Sequence, residues 1–271
     1  MITDRALGLR QAEAAARAMN KRHGVRSARD IRIEAFVAAR GIEIVEGGVV
    51  GAIARLCWGT RPIIRVSERV KDVAERRWSM GHELGHFVLD HPIDEVTSMC
   101  KHEQLYRPAR PGNQRHFEAE ANVFAAEVLM PRSQLAARCE VARPDLDIAH
   151  AISREFSTPI AASAIRFVEI TPERCCAIYS EDGSIVWSVA SDTFTPKIRR
   201  GSRLDPATIA YDFTRRSKID ERPQPIPVDA WVSCATNLDL IEHSVVLPGA
   251  TGVLTLLWIP EATASALLAG T

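Results

Sequence analysis

Long apolar runs are missing from this sequence of 271 residues. The longest, 253–260, is interrupted by Thr255 and falls far short of the ~20 residues a membrane-spanning helix needs. No apolar stretch follows Met1-Ile2-Thr3-Asp4-Arg5, so no export signal is visible and a cytoplasmic location is expected. Net charge is missing as well. The 34 Lys and Arg balance the 34 Asp and Glu, which argues against a chain wrapped in nucleic acid. The six cysteines form no Cys-x-x-Cys pair, and Cys175 and Cys176 are neighbours in sequence. Without an export signal they read as reduced thiols. There is no internal repeat. An apolar fraction of 46% and a charged fraction of 25% exclude disorder and fibrous structure, leaving a globular chain of one large or two modest domains.

The pattern along the chain predicts helices over 7–23 and 28–39, then strands over 42–45, 49–56 and 62–66. A helix over 70–89 follows, with Ser67 as its N-cap, and His91-Pro92 stops it. Residues 92–113 form a polar, Pro- and Gly-containing connection to a strong helix over 114–130. Shorter helices are expected over 133–139, 145–156 and 159–167. From about residue 174 the composition turns β-rich. Strands over 175–180 and 184–189 flank Glu181-Asp182-Gly183, a hairpin signal. A helix over 205–215, a loop marked by Pro223, Pro225 and Pro227, and strands over 230–234, 240–247 and 253–259 complete the chain. The reading is an α+β protein: a peptidase-like unit (1–140), a helical connector (141–172) and a small α+β C-terminal domain (173–271).

Within the helix over 70–89 stands Gly81-His82-Glu83-Leu84-Gly85-His86, an H-E-x-x-H pattern. Residues four apart share a helix face, so both imidazoles reach one ion. Two histidine nitrogens suit Zn²⁺, and the neighbouring Glu83 is placed to take a proton from metal-bound water and pass it to a leaving amine. Met80, Leu84 and Phe87 make an apolar stripe on another face and would bury the helix. Catalytic zinc usually takes three protein ligands. In the helix over 114–130, Phe117, Ala121, Phe124 and Val128 form the buried stripe, and Glu118 lies at its edge. Glu118 is therefore the expected third ligand. Asn122, one turn on, is expected to accept a hydrogen bond from a liganding imidazole. Ala121 and Ala125 are small enough for the two helices to approach closely. Glu120 and Glu127 fall on the opposite side and read as solvated.

H-E-L-G-H followed by Glu118-Ala119-Glu120-Ala121-Asn122-Val123-Phe124-Ala125-Ala126-Glu127-Val128-Leu129-Met130-Pro131 strongly resembles the ImmA/IrrE family of metallopeptidases over roughly residues 30–170. The resemblance implies a zincin-like fold with His82, His86 and Glu118 as metal ligands and Glu83 as general base, in agreement with the spacing. It further implies a substrate, a helix-turn-helix transcriptional repressor, whose cleavage derepresses stress-response or mobile-element genes. The stretch 148–167, with Phe156-Ser157-Thr158-Pro159-Ile160, is similar to the helix-turn-helix-like segment of the IrrE branch, although Thr158-Pro159 replaces its more usual Val-Ser. By position and strand content, the tail after 173 corresponds to that branch's GAF-like sensor domain. Zn²⁺ is the expected ion, and the same ligands tolerate Mn²⁺.

Several other residues are candidates for secondary roles. His91, His102, His116 and Tyr106 are of the right type to stabilise a developing oxyanion, though surface or capping positions are the commoner use of each. Cys100 lies between the ligand segments, where a thiolate would reach the open metal position; an ordinary thiol is the simpler reading. Either strand ahead of the motif helix would serve to pair with an extended substrate. The basic clusters at 5–29 and 197–203 read as solvated helix faces, and the zero net charge disfavours direct DNA binding. Two rivals to the repressor protease are a non-catalytic metal-containing protein that grips a repressor or DNA, and the protease of a toxin–antitoxin-like pair.

Overall fold

In the computed structural model, residues 4–49, 53–92, 114–216, 218–232, 238–247 and 252–269 are described. They form a mixed α+β chain of two compact units. The first comprises residues 1–134 and 152–163; the second comprises 135–151 and 164–271.

In the first unit, α1 (Asp4–Arg22) leads to a single 3₁₀ turn (Ala28–Asp30) and α2 (Ile33–Ala38). The one helix expected over 28–39 is thus two pieces. The Asp30 carboxylate accepts from the backbone of Arg26 and Ser27, which closes a local turn before α2 starts. Three strands follow: β1 (Glu43–Gly47), β2 (Ala54–Cys57) and β3 (Ile63–Ser67). They form a sheet of order β1-β3-β2, with β1 parallel and β2 antiparallel to the central β3. Next come α3 (Val73–Val88) and α4 (Gln114–Leu129). The N-cap of α3 is Asp72, whose Oδ1 accepts from the Glu75 N–H at 2.8 Å. Ser67, the expected cap, is instead the last residue of β3, so α3 begins three residues later than the sequence suggested. Then α5 (Arg132–Cys139), α6 (Leu146–Phe156) and α7 (Ile160–Ile170) lie close to their expected bounds, and each has residues in both units.

The second unit is built on a five-stranded antiparallel sheet. Its strands are β4 (Cys175–Glu181), β5 (Ser184–Ala190), β6 (Gln224–Pro227), β7 (Asp239–Val246) and β8 (Gly252–Trp258), in the order β5-β4-β8-β7-β6. Asp182 and Gly183 both take positive φ, 50° and 69°, as the tight hairpin between β4 and β5 requires. The proline-marked loop turns out to contain β6. Prolines are tolerated there because β6 is an edge strand, and each missing N–H need only face away from β7. The strand expected over 230–234 is not formed at its start: Val228–Ala230 is a 3₁₀ turn leading to Trp231, and 233–237 lie outside the described residues. Two further helices are α8 (Ile209–Arg216) and α9 (Glu261–Ala269), the latter unforeseen. The basic segment 197–203 is not a helix face; it runs irregularly between β5 and α8. No described helix is long and apolar enough to cross a membrane.

Candidate metal centre

The motif helix is buried where it matters. Met80, Leu84, His82, Glu83 and His86 are all at most 5% exposed. Its partner α4 approaches through small residues. A Cβ added to Gly85 would lie 3.1 Å from the Ala121 Cα and 3.2 Å from the Ala121 carbonyl oxygen. A side chain at 85 would press on the Ala121 backbone, so glycine there, facing alanine at 121, favours this close approach. Ala121, Phe124 and Val128 are fully buried along the contact. The close crossing carries Glu118 to the H-E-x-x-H face.

His82, His86 and Glu118 offer three donor atoms, all within 4.8 Å of one another. The two Nε2 atoms are 3.0 Å apart, and Glu118 Oε2 and Oε1 lie 3.2 and 3.4 Å from His82 and His86 Nε2. Ligands held about 2.0–2.1 Å from a tetrahedral zinc are separated by about 3.3 Å, so the donor set fits such an ion. The outer nitrogens are engaged in a way that favours this use. His82 Nδ1 is 2.8 Å from Asn122 Oδ1. An amide oxygen only accepts, so Nδ1 carries the proton and Nε2 keeps its lone pair. His86 Nδ1 lies 3.0 Å from His91 Nδ1, and His91 Nε2 lies 2.9 Å from Glu120 Oε2. A neutral His91 donating to Glu120 accepts from His86, which again frees Nε2 of the ligand residue. Burial, with His86 and His82 alongside, pushes the His91 pKa down to about 3, in keeping with a neutral ring.

Charge within the cluster is set by proximity. Burial pushes the His82 imidazole down, but the adjacent Glu118 carboxylate outweighs it and holds the pKa above the ordinary value. For Glu118, burial acts upward and is more than reversed by hydrogen bonds to His82 and His86, leaving its carboxyl well below the usual carboxylate range. A proton shared at this point is what a divalent cation would displace.

His91 reaches His86 because of how α3 ends. The Asp90 N–H bonds to the Phe87 carbonyl and the His91 N–H to the His86 carbonyl, a Schellman arrangement with Asp90 at φ 52°. The chain folds back and sets the His91 ring against His86 and Phe117. An Asp just past the helix, followed by His-Pro, is the sequence signal that would have found this. Glu120 is not the solvated carboxylate that helix periodicity suggested. It is paired with His91 and only 15% exposed, and burial raises its pKa. The reason is a further helix: α1 packs on that side of α4, and Gly8 leaves the space that the Glu120 carboxylate fills. Glu127 is likewise buried, with Asn20 of α1 donating to its carbonyl oxygen at 3.0 Å.

Glu83 is fully buried beside the ligands, and its Oε2 accepts from the Leu56 N–H at 2.8 Å. Ser67 donates to the Ile53 carbonyl, so Ile53 and Ser67 form a hydrogen-bonded pair and Leu56–Ile64, three positions on, a non-bonded one. The Leu56 N–H therefore points away from β3, along the open edge of β2. His116 is half-buried at the start of α4. Tyr106, His102 and Cys100 lie outside the described residues.

The family described as Peptidase M78, IrrE N-terminal-like domain, matches residues 38–167. The chain carries an ImmA/IrrE-family metallopeptidase domain. The match spans both helices of the metal centre and the sheet beside it. Such a domain has a zincin-like fold and works with a metal, and the candidate site for it is the His82–His86–Glu118 cluster. Among solved structures, a Mycobacterium tuberculosis transcriptional regulator is similar in fold, with a TM-score of 0.62 at 15% identity, covering 94% of this chain and 77% of that one. Curated protein sequences give no match.

Proposed function

We propose that this metallopeptidase is a zinc-dependent endopeptidase that cuts a helix-turn-helix transcriptional repressor and so derepresses the genes it controls. The observation that carries the catalytic part is the convergence of His82, His86 and Glu118 with a buried, non-ligating carboxylate, Glu83, next to them. A purely structural site needs ligands but has no use for that base. His82, His86 and Glu118 would hold the zinc, which when bound would supply Lewis acidity for a peptide carbonyl and bring the pKa of a bound water down towards about 7. Glu83 receives the proton of the attacking water and returns it to the departing amine. Asn122 and the His91–Glu120 pair hold the two imidazoles in the ligating tautomer.

Of the two strands expected to pair with substrate, β2 is the one suited to it. Among the described residues β3 is flanked on both sides, whereas β2 has one edge open. An extended peptide added there would run beside Glu83, which grips that edge at Leu56. The exposed Trp58, stacked on Phe87 at 4.9 Å, continues the edge with an apolar surface. The repressor as substrate rests on the family resemblance; the likeness in fold to a transcriptional regulator is in keeping with it. The residues after 173 form the regulatory part of the chain in this reading.

The test is Glu83→Gln in the full chain, incubated with candidate helix-turn-helix repressors and zinc, with fragments read by mass spectrometry. The expected result is cleavage by the wild type at a defined bond. The variant should be slower by about 10²–10⁴-fold, with unchanged zinc content. A variant that cleaves as fast as the wild type would remove Glu83 from the mechanism. Binding of a repressor without cleavage by either form would favour a gripping protein over an enzyme.

A further inference from the structure

The second unit contains a cavity of about 470 Å³ walled by its own residues. That volume lies within the ~300–1,000 Å³ typical of small-molecule sites. Its walls are chemically divided. Ile185, Leu204, Val228, Trp231 and Ile259, each buried, supply an apolar floor. Arg174, Lys197, Arg199 and Arg203 supply four cations, and among the described residues no carboxylate lines the cavity. Arg174 is paired with Glu261 at 2.7 Å, and Arg203 donates to the Asp182 carbonyl. Lys197 and Arg199 are exposed and make no ion pair with a described residue.

Both parts of the wall are fixed in place. The segment carrying the cations is laced to β5: the Gly201 N–H bonds to the Ile185 carbonyl, the Ile185 N–H to the Ser202 carbonyl, and Ser188 Oγ to the Ile198 carbonyl. Its charges thus sit on a tethered backbone and not on a free loop. On the floor, Trp231 Nε1–H donates to Glu242 Oε2 at 2.8 Å. The fully buried Glu242 also accepts from the Ala210 N–H and from Ser244 Oγ. Burying a carboxylate is costly unless such donors satisfy it. Here the arrangement locks the indole and uses up its one polar group, so the ring offers the cavity only an apolar surface.

We infer that this cavity binds an amphipathic organic anion, its apolar body against Trp231 and its carboxylate or phosphate head at Lys197 and Arg199. A purely apolar ligand would leave the cations without purpose. A small inorganic anion would leave the apolar floor in contact with water. The inference does not depend on the metal centre and stands or falls separately from the protease reading.

The probe is 8-anilinonaphthalene-1-sulfonate with the full-length protein, beside its uncharged relative N-phenyl-1-naphthylamine. One saturable site for the anion is expected, with affinity for the uncharged ring system weaker by about tenfold or more. The double variant Lys197→Glu/Arg199→Glu should lose about tenfold or more in affinity for the anion and little for the neutral compound. Both residues are exposed, so the fold is expected to survive, and near-ultraviolet circular dichroism checks that. Octanoate and octyl phosphate should compete; whichever displaces the probe at lower concentration identifies the head group. Equal affinity for charged and neutral probes, an anion affinity unmoved by charge reversal, displacement by neither competitor, or no binding at all would each overturn the proposal.

Discussion

Two side chains outside the candidate ligand set, Asn122 and His91, touch the outer nitrogens of the imidazoles. Asn122 accepts from His82, and His91 accepts from His86 while leaning on Glu120. Partners of this kind are worth about 10–100-fold in metal affinity. Asn122→Ala and His91→Phe should each weaken zinc binding by roughly that factor in a chelator competition, without changing the number of zinc ions bound at saturation. An affinity unchanged in both variants would show that the ring orientations are fixed by packing alone. The first of these partners was legible in the sequence, because Asn122 lies one helical turn beyond Glu118. The second was not. Helix periodicity put Glu120 on the far side of α4, where a second helix, α1, in fact covers it. Periodicity shows which residues face apart on one helix, but not which neighbour closes over them.

The crossing of α3 and α4 depends on what each glycine of H-E-L-G-H and its flank must face. At Gly85 a Cβ would press on the backbone of Ala121, which cannot move without moving α4. At Gly81 the nearest atom is the Leu129 Cδ1, 3.1 Å away at the end of a flexible side chain. Gly85→Val should therefore lower stability by about 1–3 kcal/mol and, by shifting Glu118, reduce zinc content. Gly81→Ala should be close to neutral, since helix propensity recovers up to about 1 kcal/mol. Thermal unfolding of the two variants separates them, and equal Tm values would contradict this account of the crossing. Element by element, the sequence marked the helices of the metal centre well because their apolar stripes are long. It misjudged the ends. Asp72, not Ser67, caps α3, since a strand claims Ser67. The prolines at 225 and 227 hid an edge strand, because proline reads as a breaker until the pairing shows that the missing N–H is not needed.

For the whole molecule, the two units carry different chemistry, and their stability need not follow pH in the same way. In the second unit His243 is buried in β7, and its Nδ1 accepts from the Leu146 N–H at the start of α6 at 3.0 Å. Burial lowers its pKa; Asp145 and Asp147 oppose that in part, and His150 adds to it. A depressed pKa means that the unfolded chain takes up the proton first. The stability contributed is full above the unfolded value near 6.5 and is lost as pH falls through the folded value. Denaturant unfolding followed between pH 7.5 and 5 should show this loss in the wild type and a flatter profile in His243→Asn, whose amide oxygen can still accept from Leu146. Identical slopes would remove His243 as the cause. At this scale the sequence conveyed the α+β class and the turn from helices to strands near residue 174. The cavity in the second unit was invisible, because its cations and its apolar floor come from segments far apart along the chain.

The central claim is that His82, His86 and Glu118 together hold one ion. Metal content of the protein purified without chelators, wild type beside His82→Ala and Glu118→Ala, tests it most directly. Close to one zinc per chain in the wild type, lost or much reduced in both variants with their folds intact, is the predicted result. No metal in the wild type even after zinc is offered back, or a full complement in the Glu118→Ala variant, would contradict it.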